Sequence, residues 1–157
     1  MLRRNDPKSS PTALSFAVRY DTGATGLPVR ATLRRWVQSA QERELAVMVR
    51  FVDAREGRRL NARFRGHDHA TNVLTFVYDD VVPLSGDIVL CTPVLSREAR
   101  SQGKTLRAHC AHLVIHGMLH LQGYDHHGPA DAARMEAREI ALLRSLRYPD
   151  PYQAPAA

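Results

Sequence analysis

Apolar residues alternate with polar ones over some stretches of this chain and recur every three to four residues over others. The two periods separate strands from helices. Alternating or continuous apolar character predicts strands over Ala13–Tyr20, Leu45–Val52, Asn72–Tyr78 and Gly86–Cys91. Between the first two, Val29, Leu33, Trp36, Val37 and Ala40 repeat at i, i+4, i+7, i+8 and i+11, the stripe of an amphipathic helix. Gly23, Gly26 and Pro28 lead into it, and Arg30, Arg34, Arg35 and Gln38 take its outer face. A short helix is expected over Asp53–Phe64, with Leu60 and Phe64 as its inward pair. After Pro93 the pattern turns helical, over Val94–Gln102, Leu106–Leu121 and Pro129–Leu146. The middle one is apolar nearly all round (Leu106, Cys110, Leu113, Val114, Ile115, Leu119) and is expected to be buried at the centre. The last turns Met135, Ile140, Leu142, Leu143 and Leu146 inward, with Arg134, Glu136, Arg138 and Glu139 as its charged positions.

A strand–helix–strand opening followed by two more strands implies one small sheet whose first crossover is right-handed. Asp79, Asp80, Pro83 and Ser85 mark a loop between the last two strands. The expected class is α+β: a single domain with a small four-stranded mixed sheet, about five helices and one buried central helix. The organisation expected is a flexible leader over residues 1–12, the domain over 13–152 and a tail over 153–157, with Pro149, Pro151 and Pro155 ending regular structure.

A length of 157 residues suits one domain with a real core, and the 44% apolar content excludes global disorder. The formal charge is +6, and every basic residue except Lys8 and Lys104 is arginine. A planar guanidinium fork suits phosphate, so this bias leans towards nucleic acid. Base composition acting on arginine codons would give the same bias, so charge alone does not decide. Cys91 and Cys110 are too few for a disulfide framework and fit a reducing compartment. The apolar run after Ala13 is broken by Arg19, too soon for a signal peptide, and nothing approaches a membrane span. A cytoplasmic protein without a membrane partner is expected.

The chemistry concentrates in His116-Gly-Met-Leu-His120-Leu-Gln-Gly123-Tyr-Asp125-His126. A helix turns by roughly 100° per residue, so His116 and His120 share one face, one turn apart. A continued helix would point His126 away. Gly123 adopts the left-handed conformation that ends a helix and lets the third imidazole return. Three neutral imidazoles with one open position form the ligand set of a catalytic zinc site, one Zn2+ per chain. The same spacing occurs in the metzincin peptidases, but their general-base glutamate is replaced here by Gly117, which weakens a peptidase reading. His109 and His112 precede the site on the same helix, and a hydrogen-bonded or cleft-lining role is expected of them. Asp125 is placed either to orient a ligand imidazole or to cap the following turn. His67, His69 and His127 are expected to be exposed, and Cys91 to be a small buried hydrophobe.

The histidine stretch resembles the signature of the bacterial YbeY endoribonucleases, His-Gly-x-Leu-His-Leu-x-Gly-Tyr-Asp-His, at every fixed position. Leu60-Asn-Ala-Arg-Phe-Arg-Gly-His-Asp68, running into Thr71-Asn-Val-Leu-Thr-Phe76, is similar to a second stretch of that family. Gly86–Cys91 resembles a third, and Asp150-Pro-Tyr152 resembles the family's ending, so the likeness covers residues 13–152. His67 stands where a lysine is common, Ala70 where proline is usual, and Thr75 and Val77 where serine and proline are usual. The resemblance implies a single-strand-specific, metal-dependent endoribonuclease acting in rRNA maturation and ribosome quality control. It implies zinc on His116, His120 and His126 and a functional arginine at Arg65. Implied partners are single-stranded rRNA or its precursor, and the small ribosomal subunit with its assembly factors. A non-catalytic, RNA-binding ribosome-assembly factor with a structural zinc is the alternative that these residues equally allow.

Overall fold

A computed structural model describes residues 13–79 and 83–153. The leader expected over 1–12 and the tail beyond 153 lie outside these described residues. The elements run β1 (Leu14–Asp21), α1 (Arg30–Ala40), β2 (Leu45–Val52), α2 (Ala54–Arg65), β3 (Val73–Asp79), β4 (Leu84–Cys91), α3 (Thr92–Ser101), α4 (Leu106–Leu121) and α5 (Pro129–Ser145). The class is α+β, as the patterning implies. The strands form one sheet in the order β1-β2-β4-β3. β1 and β4 each run parallel to β2, while β3 runs antiparallel to β4, in register Val73 opposite Leu90 and Thr75 opposite Ile88.

The connections fit this order. A short connection suffices for the antiparallel β3–β4 pair, whereas a parallel pair needs a long crossover. α1 supplies one crossover, and α2 with β3 fills the other, which leaves β3 at the sheet edge beside the helices.

Each strand alternates between two faces. Leu45, Val47, Val49 and Phe51 of β2 and Leu84, Ile88 and Leu90 of β4 face a layer containing α1 and α4. Trp36 and Leu33 of α1 and Ile115, Met118 and Leu119 of α4 close that core, all fully buried. On the other face α2 covers Val52, Leu74, Val89 and Cys91 with Leu60. α2 starts at Asp53, whose side chain accepts from the Glu56 N–H at 3.1 Å. Gly66 ends it at φ 76°. Its inward stripe is Gly57, Leu60 and Asn61. Phe64, expected inward beside Leu60, is instead 53% exposed. The last turn of α2 has reached the sheet's rim, where Phe64 packs only its edge on Phe76, 5.3 Å between ring centres.

α4 is the buried central helix, touching α1, α3, α5, β3 and β4. Thr105 caps its start, accepting from the Ala108 N–H at 3.0 Å. Gly117 faces the sheet. A Cβ there would stand 3.0 Å from Ile88 Cγ2 and 3.2 Å from its Cδ1, tighter than ordinary packing, so the helix lies close against β4. Overpacking of this kind costs about 1–3 kcal/mol, and burying a carboxylate without donors adds to it. Gly117→Ala should therefore lower unfolding free energy modestly, because better helix propensity offsets about 1 kcal/mol of the strain. Gly117→Glu should lower it far more. Urea titration of both variants checks this, and a Glu variant as stable as the Ala variant would refute the packing argument.

Candidate metal centre

His116 and His120 project from one face of α4, with rings parallel to within 2° and centres 6.5 Å apart. The helix ends immediately afterwards. Gly123, at φ 107°, comes after the capping residue Gln122, its N–H donates to the His120 carbonyl at 3.1 Å, and the Tyr124 N–H donates to the Leu119 carbonyl at 3.0 Å. These two bonds satisfy carbonyls that a helix end leaves open, and the left-handed residue turns the chain back. The returning chain is anchored on the end of α1: the Gln122 amide donates to the Ala40 carbonyl at 2.9 Å, and the Tyr124 hydroxyl donates to Glu42 at 2.9 Å. His126 thereby arrives 5.8 Å from His116 and 6.2 Å from His120, ring centre to ring centre.

Three imidazoles on one tetrahedral ion, with bonds of about 2.0–2.1 Å, hold their ring centres roughly 5 Å apart. The observed triangle is wider by about an ångström, and among the described residues no three His, Cys, Asp or Glu side chains already stand at coordinating distance. The chemistry of the donor set nonetheless suits a metal. His116 Nδ1 is engaged by a carboxylate, which leaves Nε2 for a ligand bond. Burial lowers the pKa of His120, and His116, His126 and Arg65 lower it further, so the neutral imidazole that a metal requires is favoured.

The three rings open into a cleft of about 300 Å³ shared with Arg65, Val73, Leu74, Thr75, Asp125 and His127. Arg65 comes from the last turn of α2. One of its N–H groups donates to the Thr75 carbonyl, and its guanidinium lies over the Phe76 ring at 5.4 Å. The side chain is exposed, lies along the edge strand and lines the same cleft as the histidines.

The carboxylate behind His116 is Glu139, expected from the sequence among the charged positions of α5. It is fully buried. Its Oε2 accepts from His116 Nδ1–H at 2.7 Å, its Oε1 from His112 Nε2–H at 2.9 Å, and Oε1 also accepts from the Tyr152 hydroxyl. Burial alone would raise its pKa, but hydrogen bonds from His112, His116 and Tyr152 outweigh that and hold it at about 2. Burial, followed by the bond to Glu139, pushes the Tyr152 hydroxyl well above its usual range, so it remains a donor. Helical spacing held a clue to Glu139, since Met135, Leu142 and Leu143 bury the same side of α5.

Other residues singled out from sequence fall in different places. His112 faces Glu139 and not the three-His cleft. His109 is buried one turn earlier, its Nε2 2.9 Å from Glu98 Oε1. Asp125 lines the cleft, and its Oδ1 accepts from the His127 N–H at 3.2 Å, so its carboxylate closes a turn. His67, His69 and His127 are exposed, and Cys91 and Cys110 are buried free thiols.

Comparison with known proteins gives a consistent result. A family profile described as "Endoribonuclease YbeY" matches residues 22–147. An endoribonuclease YbeY of Nitrosomonas europaea is 53% identical over 150 residues, covering 94% of this chain and 92% of the relative. One of Thiobacillus denitrificans is 51% identical over 143 residues, covering 90% and 97%. The solution structure of a Thermotoga maritima protein superimposes with a TM-score of 0.56 at 27% identity, covering 87% of this chain and 99% of that one. By profile and by identity over most of its length, the chain belongs to the YbeY endoribonuclease family.

Proposed function

We propose that the chain is a single-strand-specific, zinc-dependent endoribonuclease acting in rRNA maturation and ribosome quality control. It would meet its substrate on the small ribosomal subunit and its assembly factors. The observation that carries this reading is the convergence of His116, His120 and His126 with Arg65 in one cleft, in a chain of the YbeY family. Held by the three imidazoles, zinc would supply a Lewis acid and a bound water acidic enough to ionise near neutral pH.

The chain's own groups do the rest. Arg65, already fixed by Thr75 and Phe76, keeps further N–H donors for a phosphoryl oxygen. Its charge, in the same cleft as the histidines, would stabilise the negative charge that grows during phosphoryl transfer. Thr75, Leu74 and Val73 form the wall along which the flanking backbone would run. The +6 charge, mostly arginine, favours a polyanion and spreads the binding over many side chains. A peptidase reading is disfavoured, since Gly117 packs against Ile88 where that chemistry needs a carboxylate.

Arg65→Ala tests the reading directly. It should keep fold and zinc content and lose cleavage of a single-stranded oligonucleotide on the order of a hundredfold or more. RNA affinity should fall only modestly. Arg65→Lys should not recover the rate, because lysine lacks the fork. An RNA-binding assembly factor with a structural zinc predicts only a change in affinity. An Arg65→Ala protein that cuts as fast as the wild type would remove the proposed role. Unstructured peptides should remain intact under the same conditions, and reproducible zinc-dependent peptide cleavage would reopen the hydrolase alternative.

A further inference from the structure

The Asp150-Pro-Tyr152 ending takes no part in the cleft and Tyr152 stays 47% exposed, yet its hydroxyl reaches the buried Glu139. Asp150 Oδ1 accepts from the Tyr152 N–H at 2.8 Å and closes a turn. Lys104, in the α3–α4 connection, donates its Nζ to the Pro151 carbonyl at 2.8 Å and pins that turn to the domain. The Tyr152 ring then stands edge-on against His112, 5.3 Å between centres at 82°. Its hydroxyl enters the interior and bonds Glu139 Oε1.

Two donors, from Tyr152 and His112, thus converge on Oε1, while Oε2 is left to His116 Nδ1 alone. A carboxylate accepts and cannot donate, so the His116 proton must sit on Nδ1. The lone pair is then on Nε2.

We infer that the Asp150-Pro-Tyr152 turn, acting through Glu139, is a positioning device that sets the tautomer and orientation of His116 for metal binding. Tyr152 and His112 hold the carboxylate from one side so that its other oxygen meets His116 in one geometry. Partners of this kind behind a ligand imidazole change metal affinity by about 10–100-fold. The inference rests on the zinc reading above, but the tautomer can be read in the metal-free protein.

The test uses the full chain with two substitutions. In Glu139→Gln the amide oxygen belongs at the Oε1 position, where two donors point, so the NH2 group must face His116 Nδ1. Imidazole 15N shifts of the metal-free protein, followed across a pH titration to their high-pH plateau, should show His116 as Nδ1–H in the wild type and Nε2–H in Glu139→Gln. Zinc affinity, from Zn2+ competition with a chromophoric chelator, should fall by about 10–100-fold in Glu139→Gln. Tyr152→Phe keeps the ring against His112 and loses only the hydroxyl. It should fold normally, keep His116 as Nδ1–H and weaken zinc several-fold. The double variant should bind no more weakly than Glu139→Gln, because Tyr152 acts through Glu139.

An Nε2–H tautomer in the wild type, unchanged zinc affinity in Tyr152→Phe, or losses that multiply in the double variant would each overturn the inference. A wild type that binds no zinc, yet shows the expected tautomer and its reversal in Glu139→Gln, would refute the zinc reading and support the positioning role.

Discussion

Ile88 of β4 packs tightly against α4 at Gly117, where a Cβ would stand 3.0 Å from its Cγ2, and this contact presses one side of the helix on the sheet. A helix pressed this closely on a sheet cannot rotate without driving its other residues into strand side chains. With Gly117 against β4, and Ile115, Met118 and Leu119 in the core, His116 and His120 are left on the side where α4 meets β3 and α5. The same glycine that fixes the helix also removes the place where a peptidase-like glutamate would stand. One packing contact therefore both orients the imidazoles and narrows the chemistry they can serve.

Around that helix the site is assembled from distant parts of the chain. The end of α4 turns back at Gly123 and is tied to the end of α1 through Gln122 and Tyr124, which brings His126 to its partners. The end of α2 delivers Arg65 to the edge strand β3. α5 delivers Glu139 from behind. An ionised carboxylate withdrawn from water is tolerated only when its oxygens are supplied with donors, and three side chains meet that need here. From the open cleft, where His126 is exposed, the arrangement runs through half-buried His116 and His120 towards the buried Glu139.

Much of this was legible in the sequence because two periodicities carry it. Alternation marked the four strands, and the uniformly apolar Leu106–Leu121 marked the central helix. The glycine break between His120 and His126 read correctly because φ is positive at Gly123, a local requirement. What escaped notice depended on tertiary context. Glu139 looked like any charged helical residue, since its burial is decided by donors at positions 112, 116 and 152. Phe64 shares the helical side of Leu60 but lies where the sheet beneath α2 has ended. The β1-β2-β4-β3 order also lies beyond patterning, because apolar faces specify which side of a strand is buried and not which neighbour it takes.

Whether the three-histidine cleft needs zinc to cut RNA is the most direct test of the proposed function. The measurement is the initial rate of cleavage of a defined single-stranded RNA by chelator-stripped protein as Zn2+ is returned in increments. The account predicts negligible cleavage at the start and a rise that levels off at one zinc per chain. Full cleavage by the stripped protein, or saturation with zinc and no cleavage at all, would contradict it.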